Sequence, residues 1–200
     1  MNPLKHEKMR VIRDEVLALT TSPLYAFRRS NNYFPVIGEG SHDAHFLFVG
    51  EAPGRNEAKT GRPFCGAAGK ILEELLLSAG MKREEVYITN IVKDRPPENR
   101  DPTPDEIAAY GPFLDRQIEI IGPKVIVTLG RYAMGYIMER MSLLSSLASI
   151  SSLHGTVHKG VRPDGVAVTV VPLYHPAAAI YNIHLKETLK ADFAVLAKER

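Results

Sequence analysis

The sequence predicts an α/β protein: a three-layer α/β/α arrangement in which helices flank a central four-stranded, mainly parallel sheet. Two observations carry this. Four short apolar segments rich in β-branched residues have the composition of strands: HFLFVGEA at 45–52, VYITNIV at 86–92, KVIVTLG at 124–130 and VAVTVVPLYH at 166–175. Amphipathic stretches of helical period lie between them, and regular alternation of the two kinds of segment is the pattern of a parallel, helix-flanked sheet.

Taken in chain order, the N-terminal MNPLKHEKMRVIRDEV alternates charged and apolar residues at helical spacing. It has no uninterrupted apolar core of the kind an export signal needs. The strand at 45–52 is followed by the helical stretch AAGKILEELLLSAG at 67–80, with Gly80 closing it. After the strand at 86–92, the Pro-rich DRPPENRDPTP at 94–104 is too short for an interdomain linker and reads as an ordered surface loop. Thr103-Pro104-Asp105-Glu106 then supplies an N-cap, a first-turn proline and early acids for the helix PDEIAAYGPFLDRQIEIIG at 104–122, which Gly122 terminates. The strand at 124–130 leads into GRYAMGYIMERM at 130–141, and the last strand precedes HLKETLKADFAVLAKE at 184–199. The Ser/Leu-rich segment at 139–165 suits a short helix, a loop or the lead into a hairpin, and its pattern does not choose among them.

Bulk properties bound the function. A chain of 200 residues, 44% hydrophobic and 24% charged, fits a single domain over residues 1–200. The net charge of +2 does not by itself indicate a polyanion partner, so a basic face must come from clustering. Cys65 is the sole cysteine, which rules out an internal disulfide and fits a reducing, cytoplasmic setting. No apolar run reaches membrane length.

In parallel helix-flanked sheets, ligands bind beyond the carboxyl ends of the strands, and here those ends carry Glu51, Asn90, Gly130 and His175. The stretch VGEAPGRNEAKTGRPFCGAAG at 49–69 runs from a strand into a Gly/Pro turn bearing Glu51 and then presents Phe64 between two glycine turns. Each has a bland alternative: Phe64 as a core ring, Asn90 as a strand-closing residue, His175 as a surface or structural imidazole, and Glu51 as a turn cap. GAAGK is not a phosphate loop, because that motif needs four residues between its glycines and a Ser or Thr after the lysine, where Ile71 stands. His42, Asp43 and His45 lack the framework of a metal site, and so do His6, His154, His158 and His184.

Together, GEAPG at 50–54, ITN at 88–90 and LYHPA at 173–177 closely resemble the uracil-DNA glycosylase superfamily, specifically its family-four branch, over nearly the whole chain. The resemblance implies excision of uracil from DNA in base-excision repair, leaving an abasic site. It implies that Phe64 stacks on the extruded base, Asn90 reads its edge, His175 stabilises the leaving uracil and Glu51 supports the cationic sugar or its water. Ala52 stands where other branches place an Asp or Asn, so the general base stays open; Pro53 and Gly54 shape the adjoining loop. Lys59, Arg62, Lys93, Arg95 and Arg100 are candidates for DNA phosphates. Ile180 or Tyr181, in the run AAAIYN, is a candidate wedge for the space an extruded nucleotide leaves, although the same run can simply begin the last helix.

Most family-four enzymes hold an iron–sulfur cluster on four cysteines. By register, those places fall here on Leu19, Ser22, Asp94 and Tyr110, which cannot ligate it. The expectation is therefore a cofactor-free enzyme whose 94–110 region is held by packing of Tyr110, Pro112 and Phe113. Uracil-containing DNA is the expected partner of a monomer that associates with the nucleoid. Two competitors remain at this point: a glycosylase for hypoxanthine or xanthine, and a protein that captures uracil-DNA without turnover. The histidine-bearing loop of the covalently attaching branch has no counterpart in DRPPENR.

Overall fold

The computed structural model describes residues 3–182 and 184–200, with Tyr181 described in its backbone alone. In chain order its helices are α1 (Pro3–Ala18), α2 (Tyr25–Ser30), α3 (Arg55–Thr60), α4 (Ala67–Ser78), α5 (Pro104–Ile121), α6 (Arg131–Arg140), α7 (Ile150–Leu153), α8 (Ala178–Tyr181) and α9 (His184–Leu196). Its strands are β1 (Glu39–Gly40), β2 (Phe46–Gly50), β3 (Tyr87–Asn90), β4 (Val125–Leu129), β5 (His158–Val161) and β6 (Ala167–Leu173).

The strands form one mixed six-stranded sheet in the order β1-β3-β2-β4-β6-β5. Its interior, β3-β2-β4-β6, is parallel throughout and contains the four strands legible in the sequence. The expectation of four strands is corrected at both edges, where β1 pairs antiparallel with β3 and β5 pairs antiparallel with β6. Neither edge strand carries the apolar signal that reveals an interior one. β1 is two residues long, and β5 reads HKGV, with only Gly160 buried. The ambiguous 139–165 segment contains both a short helix, α7, and the first arm of a hairpin, with Arg162 N–H donating to Val166 O at 2.9 Å across the turn.

Alternation along the strands sends side chains to opposite faces. Leu47, Val49 and Ile126 pack with Ile12 and Val16 of α1, Leu114 and Ile118 of α5, and Ile137 of α6. Phe46, Phe48, Val125 and Val127 pack on the other side with Leu72, Leu75 and Leu76 of α4 and Leu189 and Phe193 of α9. The long helix α5 begins as its sequence predicts: Thr103 Oγ1 accepts from Glu106 N–H at 3.3 Å, and Glu106 Oε2 accepts from Thr103 N–H at 2.9 Å. Among the described residues, no helix is long and apolar enough to cross a membrane.

The residues at the four cysteine places explain how the 94–104 loop is anchored. Ser22 Oγ lies 2.6 Å from Tyr110 Oη, which donates to Asp94 Oδ2 at 2.5 Å, and Asp94 pairs with Arg28 at 3.1 Å. Arg28 also donates to the carbonyls of Val16 at 3.1 Å and Leu17 at 3.0 Å. The chain of bonds is buried and ties the end of α1, the 20–28 segment, the start of the loop and the middle of α5 to one another. Leu19, the fourth place, packs against the core without a polar role. These residues do not fit an iron–sulfur cluster. They offer no thiolate, and exposed Cys65 lies on a different loop, 3.3 Å from Thr60 Oγ1. Packing alone therefore does not hold this region, because Tyr110 contributes through its hydroxyl as well as its ring.

Candidate active site

Strand β2 lies between β3 and β4, and the connections from these strands leave toward opposite faces: β2 leads to α4 on one side, while β3 and β4 lead to α5 and α6 on the other. Diverging connections open a crevice at the carboxyl ends of the strands. A cleft of about 650 Å³ occupies that crevice. Glu51, Ala52, Pro53 and Gly54 line it from the β2 end, Asn90 from the β3 end, and His175 from the β6 end. Phe64, Arg100 and Ile180 complete the set of candidates that reach it.

Register links two of these residues. The β2–β3 pairing aligns Gly50 with Asn90, and two further bonds carry it past the strand ends, Ile91 N–H to Gly50 O and Val92 N–H to Glu51 O, both 3.0 Å. Gly50 is required for what happens above it. A Cβ there would lie 2.3 Å from Asn90 Oδ1 and 2.8 Å from Phe64 Cζ, so its absence lets amide and ring meet over the end of β2. Asn90 is 2% exposed, and among the described residues its Oδ1 has no hydrogen-bond partner. A buried acceptor left unpaired costs stability, and native structures keep few of them.

Phe64 has φ of +47°, a left-handed conformation that a bulky side chain adopts only under constraint. The constraint comes from two directions. Helix α4 presses so close that a Cβ on Gly69 would lie 1.8 Å from Phe64 O, and Arg83 donates to the carbonyls of Pro63 at 2.5 Å and Phe64 at 3.3 Å. The ring is 6% exposed and packs with the α4 side of the core while its other side meets the cleft, so the two readings of this residue are compatible. It stacks with the His175 imidazole at a centroid separation of 5.5 Å and an interplanar angle of 29°.

His175 Nδ1 accepts the N–H of Ala177 at 3.1 Å, which leaves the ring proton on Nε2. Burial pushes its pKa down to about 4, only partly opposed by the charge of Glu57, so the ring is a neutral N–H donor. Glu51 is shifted the other way. Burial first, and then the nearby Asp101 carboxylate, raise its pKa to about 7 against the opposing pull of Arg131.

The sequence reading overlooked Glu57, which lines the cleft and whose Oε1 accepts the N–H groups of Cys65 at 3.0 Å and Gly66 at 2.8 Å. It thereby ties α3 to the Phe64 loop. Its place in the first turn of α3, just after Gly54, is the one signal that could have marked it.

The cation set divides. Arg100 reaches the cleft but grips Glu106 with two bonds of 2.9 and 2.6 Å, and Arg62 grips Glu39 with two bonds of 2.9 Å. Arg95 donates to Asn99 Oδ1 at 2.7 Å and Tyr33 Oη at 3.0 Å, and Lys59 is exposed on α3. Lys93 is a correction: it is fully buried, so it cannot meet a phosphate. The run after His175 forms the short helix α8, with Ile180 45% exposed at the cleft edge; the side chain of Tyr181 lies outside the described residues. Among the described residues no group of three or more His, Cys, Asp or Glu is arranged to hold a metal ion.

The family described as "Uracil DNA glycosylase superfamily" matches residues 37–196. The type-4 uracil-DNA glycosylase of Sulfurisphaera tokodaii is 46% identical over 188 residues, 94% of this chain and 82% of that protein. The type-4 enzyme of Archaeoglobus fulgidus is 48% identical over 166 residues, covering 83% of this chain and 81% of its own. That of Saccharolobus solfataricus is 43% identical over 188 residues, again 94% of this chain, and 84% of its own length.

Proposed function

Because the chain belongs to the uracil-DNA glycosylase superfamily and excises uracil from DNA, we propose that the cleft divides one N-glycosidic hydrolysis among Phe64, Asn90, His175 and Glu51. The extruded base lies against the Phe64 ring. Asn90 Oδ1 accepts from uracil N3–H while its amide N–H donates to O4. Cytosine presents the opposite polarity at both positions, so a fixed amide rejects it. The observation that carries this reading is the buried Oδ1 of Asn90, without a hydrogen-bond partner among the described residues, in a cleft that the Phe64 ring also lines.

As the C1′–N1 bond stretches, its electron pair passes to N1 and negative charge spreads to uracil O2. His175 donates its Nε2–H there without giving up the proton, since a ring of pKa about 4 is already neutral and its Nδ1 is engaged by Ala177. A preorganised donor of this kind is worth roughly a hundred- to a thousandfold in rate. Glu51, as carboxylate, faces the positive charge developing on the sugar and orients the attacking water. It takes that water's proton as the new C1′–O bond forms, which leaves an abasic site and the uracil anion; solvent protonates the anion to free uracil, and Glu51 returns its proton to solvent. Its raised pKa of about 7 suits a group that must both accept and release a proton near neutrality. Ala52, without a polar side chain, leaves this role to Glu51, and Pro53 and Gly54 hold the loop around it.

DNA phosphates are met by Arg100 at the cleft and by Lys59, Arg62 and Arg95 outside its lining, and Ile180, exposed at the cleft edge, enters the gap left by the extruded nucleotide. The chain works as a cofactor-free monomer and a single three-layer domain over residues 1–200, in the cytoplasm at the nucleoid. The test of the site is a uracil-containing oligonucleotide followed by alkaline strand scission, with Asn90→Ala and His175→Ala beside the unmodified protein. Each variant is expected to lose at least about a hundredfold in rate, and variants that cleave as fast as the parent would overturn the assignment of roles.

A further inference from the structure

Lys93 lies beneath the cleft floor. It is fully buried, and its Nζ donates to the carbonyl of Asn90 at 2.7 Å, to Thr89 Oγ1 at 2.8 Å and to Gln117 Oε1 at 2.6 Å. Three acceptors match the three N–H groups of an ammonium. Two of those acceptors are themselves fixed. Thr89 Oγ1 donates to Ile37 O at 2.7 Å, while Gln117 Nε2 donates to the same carbonyl at 3.0 Å and to Tyr87 Oη at 3.3 Å. The chain thus turns back on itself after β3, and a side chain three residues beyond Asn90 grips the Asn90 peptide and braces it against α5 and the segment before β1.

Holding a lysine there is unfavourable in itself: burial pulls its pKa down to about 7, a cost a surface lysine escapes. The bonds it makes identify what the arrangement serves. Among the described residues no hydrogen bond reaches Asn90 Oδ1, so that atom does not hold the amide in place. A fixed backbone limits how far the amide can move, and displacement of a binding group by about 1 Å is enough to cost on the order of a hundredfold in rate.

We infer that Lys93 is a positioning residue for uracil recognition, its ammonium clamping the Asn90 peptide at the end of β3 so that the amide meets the base edge in one fixed direction. This rests on Asn90 reading that edge. Lys93 touches neither base nor DNA. Its effect passes through Asn90, and that makes it separable from a general contribution to folding.

The test is a double-mutant cycle in kcat/KM on a uracil-containing oligonucleotide, with Lys93→Met, Asn90→Ala and the double variant, together with inhibition by free uracil. Lys93→Met is expected to lower kcat/KM by about 10- to 100-fold and to weaken uracil inhibition, and to cost nothing further once Asn90 is alanine. A merely structural role gives losses that multiply in the double variant, and that result overturns the inference, as does parental activity in Lys93→Met. Parental activity in Asn90→Ala instead removes the reading on which it rests. If Lys93→Met does not fold, Gln117→Met, which removes one of the lysine's acceptors, takes its place in the cycle. Its loss of about three- to tenfold is then expected to vanish in the Asn90→Ala background, and a loss that persists there, or no loss at all, overturns the inference equally.

Discussion

His175 Nδ1 accepts the backbone N–H of Ala177 at 3.1 Å, and this bond decides which ring nitrogen can act. With Nδ1 occupied as an acceptor, Nε2 carries the proton, and burial lowers the ring's pKa to about 4. Between about pH 5 and 8 the ring is expected to remain neutral and protonated on Nε2, which nitrogen-15 chemical shifts of the imidazole report directly. An imidazolium at pH 6 would contradict it. His175→Ala is expected to lower the single-turnover rate by roughly 100- to 1,000-fold with little change in DNA affinity.

Glu51 is expected to give the enzyme an acid limb. In the proposed mechanism its carboxylate form stabilises the sugar cation, and burial together with Asp101 raises its pKa to about 7, so the rate should rise with pH through that value and level off above it. Glu51→Gln is expected to lower the rate and abolish the limb. Asp101→Asn removes a charge that raises the Glu51 pKa, so it should move the limb to lower pH while the plateau rate is kept. A limb that survives in Glu51→Gln would exclude Glu51 as its origin.

Gly50, at the end of β2 under the cleft residues, is among the least replaceable positions of the site. An added methyl would lie 2.3 Å from Asn90 Oδ1 and 2.8 Å from Phe64 Cζ, so Gly50→Ala must displace the amide, the ring or both. The expected cost is about 1–3 kcal/mol of stability from overpacking. The activity loss should be larger, at least about a hundredfold, because the displaced groups are those proposed to hold the base. Denaturant unfolding and uracil release measured side by side test whether the second loss exceeds the first.

The bonded chain Ser22–Tyr110–Asp94–Arg28 should behave as one unit. Tyr110→Phe strips a donor from Asp94 and a partner from Ser22, and is expected to cost about 1–3 kcal/mol. Asp94→Ala leaves the Arg28 guanidinium buried without its carboxylate and is expected to cost more, about 3–5 kcal/mol. Urea unfolding of the single and double variants measures both the losses and their coupling. Additive losses would mean that the residues do not act together. Reconstitution of the parent protein with iron and sulfide is expected to leave it without the visible absorption of a cluster.

The four interior strands and the principal helices were legible because each buries a continuous apolar run or an apolar stripe, and such patterns depend on the chain alone. The edge strands were not, since Glu39–Gly40 and HKGV pair through their backbones and carry little side-chain signal. Glu51, Asn90 and His175 stood out by their places at strand ends and Phe64 by its glycine turns, but it was the family resemblance that favoured their functional readings over the bland ones. Glu57 was missed, because beyond its place in the first turn of α3 its contribution is two bonds to backbone N–H groups eight and nine residues away.

By itself, then, the sequence determined which segments form the parallel sheet, which short motifs end its strands and that no set of cysteines exists to hold a cluster. Only the tertiary structure decided the environment of each charge. Lys93 and Arg100 look alike as basic residues near one loop, yet the fold buries the first under Asn90 and sets the second against Glu106 at the cleft. The physical reason is that burial, pKa and hydrogen-bond partnership are properties of neighbours in space. Ser22, Asp94 and Tyr110, up to 88 residues apart in the chain, become one bonded group only when the helices and loop that carry them are packed together.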